Sequence, residues 1–173
     1  MVSTRHDAQA APGALELVRQ LLNSWCIPNN TRKPTDTFDA HVQTLNIGSP
    51  EEGEQLRQLR DDLRAVVERT PDAEAKLNVW LDRLEVRPVI AEGALSFCHQ
   101  SGLPGDTLTV VLEAISSGMW GRLKACPDCR WVFFDHSRNG SKRWCLMTAG
   151  GPSGRSCGSI AKVKRYRNRH RKS

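Results

Sequence analysis

Apolar positions recur with a helical period over much of the first 120 residues. In GALELVRQLLNSW the stripe is Leu15, Val18, Leu22 and Trp25, and CIPNNTRKPTDTFD then breaks it as a loop. From Pro50 to about Arg69 the stripe is Leu56, Leu59, Leu63, Val66 and Val67, with Ser49 placed to cap a helix that opens on Pro50 and Glu51. A third helix over 72–84 shows Leu77, Trp80, Leu81 and Leu84. EVRPVIAEGALSFCHQ alternates instead, and Glu92-Gly93 marks the turn of a hairpin. A fourth helix is expected after Asp106 as N-cap, burying Leu108, Val111, Leu112, Ile115 and Met119. The pattern predicts an α+β fold whose N-terminal body, residues 1–121, is helix-dominated with a small sheet.

From Lys124 the pattern changes. KACPDCRWVFFDHSRNGSKRWC holds Cys126 and Cys129 as Cys-x-x-Cys, Cys145 follows after fifteen residues, and Cys157 after eleven more. That layout is one of a structural zinc site, since a Cys-x-x-Cys turn offers two thiolates from one tight loop and a returning segment supplies two more. RWVFFD reads as the outgoing strand and SKRWC as the return, with Trp131, Phe133 and Trp144 shielding the metal from water. A redox motif would open a helix after a buried strand, and this one runs into RWVFF. His136 and His170 are not needed as ligands. Cys26 and Cys98 sit in apolar stretches of the body and read as small buried hydrophobes without a disulfide. In CGSIAKVKRYRNRHRKS a last helix is expected with Cys157 at or just before its first turn, so the segment 122–173 reads as a treble-clef-like finger ending in a basic helix.

Charge sharpens this division. Residues 122–173 carry fourteen Lys or Arg against Asp128 and Asp135, a net of +12, while residues 1–121 carry eleven against seventeen acids, a net of −6. A basic tail on an acidic body points to a polyanionic partner, nucleic acid before a membrane surface, because the tail has no broad apolar face to insert. No apolar run approaches the ~20 residues needed to span a bilayer, and no hydrophobic leader is visible, so a cytoplasmic location is expected.

CPDCRWVFFDHSRNGSKRWC followed by CGSIAKVKRYRNRHR resembles the CGNR-type zinc finger of bacterial stress-induced transcription regulators. The residues that carry the likeness are Cys126, Cys129, Asp135, Ser137, Asn139, Arg143, Trp144, Cys145, Cys157 and Gly158. The family's Asn-Arg after Cys-Gly is Ser159-Ile160 here, and TAGGPSGRS adds length between the last two cysteines. The body is similar to a shortened form of the ABATE domain that precedes this finger, through LELVRQLLNSW and LRQLRDDLRAVV.

The resemblance implies a zinc-dependent, DNA-binding transcription regulator. Double-stranded DNA would be met by Arg138, Lys142 and Arg143 on the loop and by Lys162, Lys164, Arg165, Arg167, Arg169 and Arg171 on the last helix. Val163, Tyr166 and His170 are expected to dock that helix on the finger. The body would sense a small-molecule effector or form a homodimer, with Asn23, Arg32 and Asp36 as candidate pocket residues. An RNA-binding or ribosome-associated zinc module is the alternative, with Trp131, Phe133 and Phe134 stacking on bases. An enzyme is not expected: four thiolates leave zinc no open position, and Asp135, His136 and Ser137 are loop neighbours rather than a triad.

Overall fold

Each periodic stretch of the body forms its element in the computed structural model, which describes residues 8–45, 47–149 and 154–170. In order these are α1 (Leu15–Asn23), β1 (Trp25–Cys26), β2 (Thr35–Asp36), α2 (Phe38–Val42), α3 (Pro50–Val67), α4 (Ala73–Arg83), β3 (Arg87–Ala91), β4 (Ala94–Cys98) and α5 (Gly102–Ser116). A 3-10 turn at Trp120–Arg122 leads to β5 (Leu123–Ala125), β6 (Val132–Phe134), β7 (Thr148–Ala149), β8 (Arg155–Ser156) and α6 (Cys157–His170). The strands pair as four antiparallel two-stranded ribbons, β1-β2, β3-β4, β5-β6 and β7-β8.

Local chemistry sets the boundaries. The Ser49 hydroxyl accepts from the Glu52 N–H at 3.2 Å and Pro50 occupies the first turn, so α3 starts where its cap places it. The Glu92-Gly93 turn has φ of 51° and 76°, the left-handed pair that a two-residue hairpin requires. Helix α5 begins at Gly102, four residues before the expected cap. Gly102 takes φ +52°, and the carboxylate of Glu52 on α3 accepts from the Leu103 N–H at 2.7 Å, so the cap comes from another helix rather than from Asp106. Asp106 instead lies within α5 beside His99. Ile115 is exposed rather than buried, because the buried face of α5 runs through Leu108, Val111 and Ala114 and Ile115 falls beside it. Trp25 leaves the α1 stripe for β1, where it packs under the Arg64 guanidinium at 4.5 Å.

The main core gathers Leu15, Val18 and Leu22 of α1, Leu59, Leu63 and Val67 of α3, Leu77 and Trp80 of α4, and Leu108, Val111 and Ala114 of α5. Leu123 of β5 and Val132 and Phe134 of β6 belong to the same cluster. Strand periodicity sends Phe133, between them, to the opposite side, where it joins Cys126, Cys129, Cys145 and Cys157 in a second cluster. Strand β6 is therefore a wall with the helical core on one face and the cysteines on the other. Phe38, Leu21 and Leu56 make a third, smaller cluster. Among the described residues no helix is long and apolar enough to cross a membrane.

Candidate metal centre and basic helix

The Cys-x-x-Cys turn is the tip of the β5-β6 hairpin. Leu123 pairs with Phe134, Lys124 with Phe133 and Ala125 with Val132, so the outgoing strand turns back on LKA. This corrects the expected pairing of RWVFFD with SKRWC, which forms no strand; LKA is too short to announce itself by alternation. The turn is closed by Cys126 N–H to Trp131 O and Arg130 N–H to Cys126 O, both 2.9 Å, with Arg130 in the left-handed region at φ +59°. Backbone N–H groups of Cys129 and Trp131 point at the Cys126 and Cys129 sulfurs.

Cys145 and Cys157 complete the group. All four cysteines are buried and their sulfurs lie within 4.8 Å of one another, with Cys129–Cys145 at 3.3 Å and Cys145–Cys157 at 3.6 Å. A tetrahedral zinc with bonds of about 2.3 Å holds its sulfurs ~3.8 Å apart, so this cluster has the right size. Hydrogen bonds from neighbouring thiols pull Cys126 below the ordinary thiol range, and the same interactions push Cys145 up. A dication removes that asymmetry by holding every ligand as thiolate. The four cysteines can thus hold a zinc ion. Trp131, Trp144 and Met147 pack around them with Phe133. Gly158 matters for this cover, since a Cβ there would stand 3.2 Å from the Trp144 ring.

The loop after β6 is organised by Asp135, which is fully buried. Its Oδ1 accepts from the Ser137 N–H at 2.9 Å and hydroxyl at 2.6 Å, and its Oδ2 from the Lys142 N–H at 2.8 Å and Lys124 Nζ at 2.7 Å. Burial alone would raise its pKa, but Lys124 and these donors hold it well below the ordinary carboxylate range. Lys124 also reaches the Gly140 and Lys142 carbonyls. His136 bonds the Ala10 carbonyl at 2.7 Å, apart from Ser137. The Asp135 side chain therefore builds the loop.

Helix α6 starts on Cys157, as expected, and is exposed from Lys162 to His170. Lys162, Lys164, Arg165, Arg167 and Arg169 form no ion pair among the described residues; Arg171 lies outside them. The face turned toward the finger differs from expectation. Ile160, Ala161, Lys164, Arg165, Asn168 and Arg169 line a groove with Pro127, Asp128 and Trp144. Val163 and Tyr166 are 36% and 64% exposed, and the Tyr166 ring lies tilted against His170 with centroids 4.2 Å apart, in solvent. Cys157 fixes the phase of the helix, and Ile160 and Ala161, three and four residues on, are half-buried beside it, while Lys164 and Arg165 continue that side into solvent. On the loop, Arg138 and Arg143 are exposed, while Lys142 is half-buried and lends its N–H to Asp135.

The three candidate pocket residues are each committed elsewhere. The Asn23 side chain brackets β6, accepting from the Val132 N–H at 2.7 Å and donating to its carbonyl at 2.8 Å. Arg32 pairs with Asp128 of the knuckle at 3.1 Å, and Asp36 with the buried Arg60 at 2.8 Å. Cys26 is half-buried and Cys98 exposed, so neither is the buried hydrophobe expected, though both are free. Cys98 ends a ribbon whose residues are mostly exposed.

Several contacts at the site involve residues the pattern did not single out. Arg64 donates to the Leu22, Trp25 and Arg130 carbonyls at 2.6, 3.0 and 3.0 Å, joining α1, β1 and the knuckle. Ile27 N–H bonds the Cys129 carbonyl at 2.9 Å, and the Asn29 amide reaches Cys157 Sγ at 3.0 Å. Gln9 accepts from the Leu146 N–H at 2.8 Å. These pairs lie too far apart in sequence to leave a local signal.

Comparison with curated proteins finds no match for the chain. Residues 122–170, the segment that carries the hairpin, the four cysteines and the basic helix, match the family model of the CGNR zinc finger, and this part of the chain is a zinc finger domain with four cysteines able to hold a metal.

Proposed function

We propose that the chain is a cytoplasmic DNA-binding transcription regulator, in which a four-cysteine zinc site sets a basic helix on the duplex and the N-terminal body, of the ABATE type, supplies signal sensing or self-association. The observation that carries this reading is the junction at Cys157, where a buried metal ligand is also the first residue of a helix with no acid and with five Lys or Arg side chains that form no ion pair among the described residues. Metal binding then fixes the base of the helix against the finger and leaves its cationic surface free for phosphates. The helix C-terminus carries Arg167, Arg169 and His170, which complements the dipole and lowers the cost of crowding like charges.

Base stacking on RNA has less support, because Phe133 and Phe134 are buried and Trp131 packs on the cysteine cluster. A closed four-sulfur shell suits a binding protein rather than a catalyst. The test is selection from a pool of random duplexes with the zinc-loaded protein, followed by competition with single-stranded RNA. Enrichment of a defined duplex that RNA does not displace is expected. Equal competition by RNA would favour the RNA module, and absence of salt-dependent binding to either would remove the nucleic-acid reading.

A further inference from the structure

We infer that Asn29 is a positioning residue of the zinc centre, donating an N–H···S hydrogen bond to the Cys157 thiolate, so that the N-terminal body completes the metal site. The inference rests on the four-cysteine zinc reading. Zinc with four thiolates carries a net charge of −2, and a buried anion needs donors to its sulfurs. Two of the sulfurs receive them from within the knuckle, from the N–H groups of Cys129 and Trp131. Cys157, fully buried, receives its donor from Asn29 Nδ2 at 3.0 Å, across 128 positions of sequence.

The amide's orientation is settled by its surroundings. Nδ2 also approaches the Met147 carbonyl at 3.4 Å, so a flipped amide would aim an oxygen at a thiolate and at a carbonyl. The Asn29 Oδ1 is buried with no partner among the described residues. A leucine would fill the same space without that orphaned oxygen, so packing alone does not account for an amide here. The loop that bears Asn29 is fastened on both sides, by Ile27 N–H to the Cys129 carbonyl and by Arg32 to Asp128. The body therefore touches the metal site at the ligand from which the basic helix departs, and shifting this loop would loosen Cys157 first.

The experiment uses the full chain. Asn29→Ala and Asn29→Leu are expected to bind zinc about 10- to 100-fold more weakly in chelator competition. They should also shift the sulfur-to-metal charge-transfer band of the cobalt-loaded protein, while Asn29→Ser, which keeps a donor, falls between. A packing role alone would lower stability without moving that band. Because a variant could misfold, the wild-type protein loaded with 113Cd supplies a second measurement. A correlation between the metal and the Asn29 side-chain amide protons is expected, beside those from the knuckle N–H groups. Unchanged zinc affinity and an unshifted cobalt band in Asn29→Ala would overturn the inference, as would knuckle correlations without the Asn29 one. A wild-type chain that takes up no metal would overturn the zinc reading itself, and this inference with it.

Discussion

In the helical body Arg60 and Arg64 lie beneath the surface, 2% and 6% exposed, and their donors are used on Asp36, Asp61, Ser24, Glu68 and three backbone carbonyls. Arg19 is likewise buried and bound to Glu16 and to the Val132 carbonyl. On α6, two lysines and three arginines stand in solvent with no ion pair among the described residues. The contrast separates cations that hold the chain together from cations available to a partner, a distinction that net charge alone cannot make. It also predicts that substitutions in the two regions fail in different ways: body arginines through stability, helix cations through binding.

The largest effect should come from the metal joint between the regions. Cys145→Ser, or chelation of the wild type, is expected to remove one tightly bound zinc per chain, a contribution on the order of 10–16 kcal/mol at neutral pH in small fingers. Because Leu123, Val132 and Phe134 lie in the helical core, the loss should also lower the melting temperature of the body. Metal analysis with calorimetry checks both; a body transition unmoved by chelation would show that the two regions are energetically separate.

Next in size is Arg64→Leu, which takes a donor from three carbonyls and leaves Glu68 with the weaker Arg130 contact at 3.4 Å. A loss of about 3–5 kcal/mol in urea unfolding is expected, with duplex affinity per folded molecule unchanged. The reverse holds for Arg165→Ala with Arg169→Ala. Stability should change by less than about 0.5 kcal/mol, as for surface sites. Binding to all duplexes should weaken, and the salt slope fall by roughly 1.8, at ~0.9 per phosphate contact. Should this double variant bind as wild type does, the nucleic-acid contact belongs to Arg138 and Arg143 on the loop.

The smallest expected effect is electrostatic. The Arg60 guanidinium beside Asp36 holds that carboxyl below its ordinary pKa, despite partial burial. A carboxyl with a depressed folded-state pKa stabilises above its unfolded value, near 3.9, and loses that contribution as pH falls toward the folded value. Asp36 is partly exposed and solvent screens the pair, so Asp36→Asn should cost about 1 kcal/mol or less at pH 7. In paired urea titrations the difference from wild type should vanish below the folded pKa. A constant difference at every pH would mean shape, not charge.

What the sequence reveals of this molecule follows the range of each interaction. Ser49-Pro50, Glu92-Gly93 and Cys126-x-x-Cys129 act over a few residues, and each was readable where it stands. The sequence leaves the phase of α6 open, because Val163, Tyr166 and His170 form as good a stripe as Ile160, Ala161 and Lys164. Only the anchoring of Cys157 chooses between them. Strand partners were harder still, since RWVFF alternates equally well toward either neighbour. The contacts of Asn23, Asn29, Arg64 and Lys124 join separate segments through side-chain polar atoms, and such pairings leave no periodicity behind.

Ribbon β7-β8 carries a practical consequence. Thr148 pairs with Ser156 and Ala149 with Arg155, so the chain is pinched together between Cys145 and Cys157. Residues added beyond that pinch change only the contour of a closed loop, and doubling a loop costs only about 0.6 kcal/mol in closure entropy. The stretch between Ala149 and Arg155 is therefore a port into which a fluorophore tag or a short reporter peptide can be spliced, reading out the finger from within a few residues of its metal without touching a ligand.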